Sequence, residues 1–178
     1  MAILRIARMG HPILMKTAEP VLDATAPPIL TLVNDMVETM MDAPGIGLAA
    51  PQVHAPLRVV VYRLPEGRVP LDETRDLTVL INPVITVLDE TTELGTEGCL
   101  SLPGMRGLVP RPVRVRVQAE TLGGETLDYE ARGYHARVVQ HECDHLDGIL
   151  YPMRMESLET FGYIEEAEKV ILSTPRQE

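Results

Sequence analysis

The 178-residue sequence has no Trp, one Phe and only two Cys. Two cysteines are too few for a disulfide framework, which favours a reducing compartment where a thiol is more often metal-binding or catalytic. No apolar stretch approaches the roughly 20 residues of a transmembrane helix, so no membrane association is predicted. Arg5 and Arg8 interrupt the start of the chain, which lacks the apolar block of a signal peptide. We therefore expect a cytoplasmic protein, and the lack of a transit peptide favours a bacterial one.

Basic charge is also scarce, since 16 Lys and Arg face 26 Asp and Glu for a formal net charge of −10. Broad binding to nucleic acid needs a basic surface, so this balance argues against DNA as a partner. The 45% of hydrophobic residues and 24% of charged residues are typical of a globular protein. Because the length suits one hydrophobic core, we predict a single domain over residues 1–178.

The hydrophobic pattern predicts an α+β fold. Apolar residues recur at helical spacing in segments 27–42, 134–147 and about 156–172. Strands are predicted at 58–62, 78–81, 84–88, 113–118 and 126–129, the last two forming a hairpin across Gly123-Gly124. Segment 65–77 mixes Pro and Gly with charges, which is typical of an exposed excursion. The expected architecture is short, mostly antiparallel strands around a central helix, with an N-terminal and a C-terminal helix.

Two short motifs contain candidate metal ligands. The first, His141-Glu142-Cys143-Asp144-His145, places two imidazoles four residues apart, on one face of a helix. The intervening Glu142 can reach a water bound to the same ion. A catalytic metal usually has three protein ligands and an open position. Cys99, in Glu97-Gly98-Cys99-Leu100-Ser101, is the best candidate for the third ligand, so we predict a thiolate-containing metal site.

These motifs belong to three blocks in which the chain resembles the peptide deformylase family. The blocks are residues 45–52 (Gly-Ile-Gly-Leu-Ala-Ala-Pro-Gln), 97–101 and 140–146, and the similarity extends from Met9 to about Tyr151. The resemblance implies a metal-dependent hydrolase that removes the N-formyl group from the formylmethionine of newly made polypeptides and releases formate. The implied substrates are N-formylmethionyl peptides and nascent chains. Fe(II) is the implied metal, with Zn(II), Ni(II) or Co(II) as alternatives.

The same resemblance implies roles for individual residues. Cys99, His141 and His145 would bind the metal. Glu142 would act as general acid and base, while the Gln52 side-chain amide and the Leu100 backbone N–H would bind the oxyanion. The expected substrate-binding residues are Gly45, Ile46, Gly47, Arg106, Tyr134 and Val138. For Ile46, Tyr134 and Val138, which would form the methionine pocket, ordinary core packing is the alternative. Arg111 is expected to pair with Glu97 behind the metal site.

Two other functions are compatible with parts of this pattern. A zinc peptidase would take its third ligand from a downstream His or Glu, but no His follows His145. A non-catalytic metal-binding domain would have lost Glu142 or Gln52, and both are intact.

The charge of the C-terminal segment is relevant to whether the protein docks on the ribosome. Some deformylases carry a basic C-terminal helix that resembles a ribosome dock. Here residues 154–178 contain six Glu against three basic residues, which argues against strong docking on ribosomal RNA.

Overall fold

The computed structural model describes residues 2–67, 69 and 74–173. Within them lie helices α1 (Pro27–Asp42), α2 (Gly133–Leu146) and α3 (Ile164–Ser173). The strands are β1 (Gly47–Ala49), β2 (Val59–Leu64), β3 (Arg75–Cys99), β4 (Leu102–Glu120), β5 (Thr126–Arg132) and β6 (Gly162–Tyr163). Short 3₁₀ helices span Pro12–Met15, Ala50–Val53 and Tyr151–Arg154. None of the described helices combines the length and hydropathy needed to cross a bilayer.

The strands form one antiparallel sheet in the order β1-β2-β3-β4-β5, and β6 pairs with β4 beside Met105 and Arg106. The helix α2 lies against β1, β2, β4 and β5, so it is the central helix of the fold. Its buried positions include Ala136, Val139 and Leu146. The α+β class with mostly antiparallel pairing around a central helix is therefore confirmed.

Two of the strands are much longer than the sequence predicts. The separate segments 78–81 and 84–88 belong to the single strand β3, and 113–118 is the middle of β4. Asn82 has a φ of 51°, and the register with β4 shifts between Ile81 and Val84. Such an irregularity bends a strand without ending its ladder. The Asn82 side chain also bonds both backbone groups of Val21, which holds the bend in place.

The helix boundaries were predicted with uneven success. The expected helix 27–42 coincides with α1, which begins at a Pro pair suited to a first helical turn. The expected helix at 156–172 was wrong in its first half, because α3 begins only at Ile164. Residues 162–163 instead pair with β4, where tertiary contact outweighs the apolar spacing. Of the predicted excursion 65–77, residues 68 and 70–73 lie outside the described part.

A buried polar cluster lies on the sheet beneath the start of α2. The Tyr62 hydroxyl is 2.7 Å from the Tyr129 hydroxyl and 2.9 Å from His135 Nε2. The rings of Tyr129 and His135 stack with centroids 5.5 Å apart. Burial, and then the charge of Arg75, lower the pKa of His135 to about 4. His135 is therefore neutral in the folded protein at pH 5 to 7.

This cluster predicts a specific loss of stability in mild acid. Between pH 6.5 and about 4 the unfolded chain binds a proton at His135 that the folded chain does not, so stability falls as the pH falls. The difference is on the order of 2 kcal/mol. In urea titrations from pH 7 to pH 4, His135→Gln should lose less stability than the unsubstituted protein. His54→Gln, at an exposed histidine, is the control. Parallel pH profiles for His135→Gln and the unsubstituted protein would contradict the assignment.

Candidate metal centre

The three predicted ligands meet where β3 ends against α2. Cys99 is the last residue of β3, and His141 and His145 lie one turn apart on α2. One donor atom from each lies within 4.8 Å of the other two. Cys99 Sγ is 3.3 Å from His145 Nε2, and the two imidazole rings are nearly perpendicular with centroids 5.1 Å apart. The fold therefore brings together the donors that the two motifs contributed separately.

The chemistry of these donors fits a divalent metal. Burial alone would raise the pKa of the Cys99 thiol, but the positive charge of His145 and a hydrogen bond from His141 outweigh it and lower that pKa. A thiolate with two imidazoles is a donor set that binds Fe(II) or Zn(II). Among the described buried atoms, Glu142 Oε2 has no hydrogen-bond partner in the protein. A buried carboxylate oxygen needs a partner, which a water beside a metal would supply.

A second layer of polar groups orients the histidine His141. Its Nδ1 is 2.8 Å from Glu97 Oε2. Arg111 donates two hydrogen bonds of 3.0 Å to the two oxygens of the same carboxylate, which confirms the predicted pair. Burial alone would raise the pKa of Glu97, but hydrogen bonds from His141 and Arg111 prevail and hold that pKa far below its usual range. Its contact with the Glu97 carboxylate through Nδ1 thus leaves His141 Nε2 free to face the site.

Two residues of this polar layer, Arg137 and Asp144, were not predicted from the sequence. Arg137 donates to Glu97 Oε1 at 2.9 Å and to three carbonyl oxygens of the β3–β4 hairpin. Asp144 accepts hydrogen bonds from Arg111 and Arg154. A signal did exist, because Arg137 lies four residues before His141 and therefore on the same helix face. Its partner on a distant strand could not be read from that spacing.

Gln52 approaches the centre from the 3₁₀ helix that follows β1. Its Oε1 accepts a hydrogen bond of 2.8 Å from the backbone N–H of Ala49. That bond leaves the amide nitrogen facing the site, where Nε2 donates to Ser101 Oγ at 3.1 Å and lies 3.4 Å from Cys99 Sγ. Leu100 follows Cys99 directly and lines the same cleft. Two neutral N–H donors thus belong to residues beside the predicted ligands.

A cleft of about 430 Å³ opens onto these groups. It is lined by all the residues predicted to bind substrate, namely Gly45, Ile46, Gly47, Arg106, Tyr134 and Val138. Val138 is also part of the buried core, against which Ile46 and Tyr134 pack, so the pocket wall and the core share these side chains. At Gly47 a Cβ would collide with the Glu142 carboxylate, and at Gly98 with the Arg106 guanidinium. Glycine at both positions lets these side chains reach the cleft.

Glu142 is the titratable group closest in character to an acid–base catalyst. Burial raises the pKa of its carboxyl to about 7, although the neighbouring His141 and His145 act in the opposite direction. A carboxyl with a pKa near neutrality can both accept and return a proton. The candidate centre therefore combines a thiol, two imidazoles, a carboxyl group and N–H donors at one end of a cleft.

Comparison with known sequences identifies proteins with this arrangement. The family model described as polypeptide deformylase matches residues 3–161. Peptide deformylase 1 of Nitrosomonas europaea is 49% identical over 161 residues, which cover 90% of this chain and 92% of the relative. Peptide deformylase 1 of Bordetella pertussis is 47% identical over the same shares of the two chains.

Solved structures agree with the sequence comparison. The class I type b peptide deformylase of Acinetobacter baumannii with Met-Ala-Ser bound superposes with a TM-score of 0.80 at 37% identity, covering 86% of this chain and 100% of that one. Peptide deformylase from Thermotoga maritima gives 0.80 at 36% identity, covering 88% and 100%. The matching metal-site motifs, the shared fold and the extent of these similarities lead to one conclusion: the chain belongs to the polypeptide deformylase family.

Proposed function

We propose that the cleft beside Cys99, His141 and His145 is where this chain carries out the reaction of its family. As a peptide deformylase, the protein removes the N-formyl group from nascent polypeptides. The observation that carries the assignment to this cleft is the convergence of a thiolate, two imidazoles and a buried carboxylate at one point. The products are formate and a peptide with a free α-amine.

A divalent metal held by Cys99, His141 and His145 would supply Lewis acidity and a water whose pKa is lowered toward neutrality. Glu142 accepts the proton of the attacking water through the oxygen that lacks a protein partner. The Gln52 amide and the Leu100 backbone N–H donate to the oxyanion that develops on the formyl oxygen. Glu142 then returns the proton to the departing amine, so one carboxyl serves as base and as acid.

The metal is proposed to be Fe(II), with Zn(II), Ni(II) or Co(II) as alternatives. A thiolate with two imidazoles accommodates each of these ions, so the donor set supports the whole group. The choice of Fe(II) within it rests on the resemblance to the family.

The shape of the cleft supports a small acyl group followed by methionine. Gly45 and Gly47 leave room for backbone to approach the substrate closely. Ile46, Tyr134 and Val138 provide the apolar wall that an unbranched side chain requires. The Acinetobacter baumannii relative has been solved with Met-Ala-Ser bound, and we infer that this chain binds an N-terminal methionine in the same cleft.

The proposal also includes the cellular location of the protein and its macromolecular partners. Both cysteines are free thiols, which suits a cytoplasmic location. The net charge of −10 supports the absence of a DNA partner. Helix α3 has Glu165 and Glu166 in its first turn, and we infer that it does not dock strongly on ribosomal RNA.

The function is tested by replacing the proton carrier. Glu142→Ala should keep its metal but release formate from formyl-Met-Ala-Ser at least about 100-fold more slowly, because the base is lost. The unsubstituted protein should not cleave the unformylated peptide, as a zinc peptidase would. Metal content and rate are measured on the same anaerobic preparation. Near-normal deformylation by a metal-loaded Glu142→Ala protein would refute the role given to this carboxylate.

The ligand set is tested by exchanging each cysteine in turn. Cys99→Ser should lose most of its Fe(II) after anaerobic purification, because an alcohol is a weaker ligand than a thiolate. Cys143→Ala is the matched control, since Cys143 lies in the same helix region but is buried away from the donor group. Iron per chain is measured by elemental analysis. Full iron content in Cys99→Ser would mean that another residue is the third ligand.

The acidic helix α3 makes a prediction about ribosomes. At near-physiological salt, little of the protein should sediment with purified bacterial ribosomes, because α3 repels phosphate. The triple variant Glu165→Lys, Glu166→Lys and Glu168→Lys should sediment more than the unsubstituted protein. If the unsubstituted protein sediments strongly and the variant does not, then α3 is a docking element despite its charge.

A further inference from the structure

A second cleft, of about 890 Å³, adjoins the catalytic cleft on the side of the N-terminal segment. Ala43, Leu100 and Pro103 line both clefts, so the two clefts adjoin at these residues. Of the residues given a role in the reaction, only Leu100 lines this second cleft.

The second cleft is basic although the protein as a whole is acidic. Arg5, Arg8, His11 and His54 line it and are exposed, and Asp42 is the only acidic residue among its described lining residues. Within the described part of the chain, neither Arg5 nor Arg8 takes part in an ion pair. Two arginines without carboxylate partners in a protein of net charge −10 indicate a surface suited to an external anion.

Backbone hydrogen bonds hold this cleft in a fixed relation to the catalytic centre. The N–H of Ala7 donates to the Gln52 carbonyl at 2.7 Å, and the N–H of Met9 donates to the Ser101 carbonyl at 2.8 Å. Arg5 and Arg8 therefore belong to a segment bonded to the 3₁₀ helix that carries Gln52 and to the turn that follows Cys99. These backbone hydrogen bonds connect the basic groups to the catalytic site.

The two histidines add hydrogen-bond donors to the same wall. His11 Nδ1 accepts a bond of 3.2 Å from the backbone N–H of Ile13, so a neutral His11 carries its proton on Nε2 and can donate it. The rings of His11 and His54 pack edge to face with centroids 4.7 Å apart. His54 has a φ of 64°, a left-handed conformation that sets its ring beside His11.

The direction of the substrate follows from segment 43–47, which lines the catalytic cleft. Gly47 lies against the Glu142 carboxylate, so its end of the segment is the catalytic end. Ala43, at the other end, is shared with the second cleft. An extended chain advances about 3.3 Å per residue. A substrate with its formyl group at Glu142 that follows this segment reaches Ala43 after about four residues.

We propose that the second cleft binds the nascent chain from about its fifth residue onward and favours acidic side chains there. This inference rests on the proposed function. Guanidinium groups bind carboxylates through paired hydrogen bonds, and the unpaired Arg5 and Arg8 supply them. Because the groups are exposed, the preference is modest and weakens as salt is added.

The test compares formylated peptides that differ only downstream. One octapeptide begins formyl-Met-Ala-Ser-Ala and continues with three Glu and one Ala, and its partner carries Lys in place of Glu. At low salt the Glu peptide should have a kcat/KM about three- to tenfold higher, chiefly through KM. The double variant Arg5→Ser and Arg8→Ser should bring the ratio close to one while leaving the rate on formyl-Met-Ala-Ser unchanged. Lys16→Ser, an exposed cation outside the cleft, should retain the preference.

Different results of this test would overturn the proposed function and the inference about the second cleft. If formyl-Met-Ala-Ser itself releases no formate, the proposed function fails. If the tripeptide is hydrolysed but the Glu and Lys octapeptides are equivalent, or if the double variant keeps the preference, the inference is overturned. Inhibition by a single-stranded RNA oligonucleotide that disappears in the double variant, without any preference for the Glu peptide, would assign the cleft to RNA and also overturn it.

Discussion

The candidate metal centre depends on one buried carboxylate, that of Glu97. It accepts hydrogen bonds from Arg111 and Arg137 and binds His141 Nδ1, so a single side chain links the β3–β4 hairpin to the helix α2. Removing one partner of an ion pair buried this deeply would leave an uncompensated charge and destabilise the fold. The positions of Cys99 and His141 relative to one another follow from this contact.

The side chains of the candidate site come from different secondary-structure elements. The helix α2 carries the candidate ligands His141 and His145 together with Glu142, while Cys99 ends β3. The proposed N–H donors Gln52 and Leu100 lie on a 3₁₀ helix and on the turn that follows Cys99. The proposed second cleft adjoins both, since its basic groups belong to a segment whose backbone is bonded to Gln52 and Ser101.

Local features of the fold were predicted from the sequence more accurately than features that depend on distant contacts. The helix α1 was predicted because its periodicity is strong and a Pro pair begins it. The alternation over 113–118 in β4 was predicted because it is strict. The long reach of β3 was missed because the bend at Asn82 looks like a turn in sequence but is bridged by the ladder with β4. The early start predicted for α3 failed because residues 162–163 pair with β4 instead.

The sequence by itself determined the chemistry of the site. Spacing within one helix decides that His141 and His145 share a face, and the identity of Cys99 decides that the donor set contains sulfur. Only the tertiary structure decided which distant groups lie beside these residues: Glu97 and Arg137 behind His141, and Ser101 beside Gln52. It also decided that Arg5 and Arg8, which have no ion-pair partner in the described part of the chain, line the adjoining cleft. Contacts within a helical turn follow from backbone geometry, whereas contacts between β3, α2 and the N-terminal segment depend on how the whole chain packs.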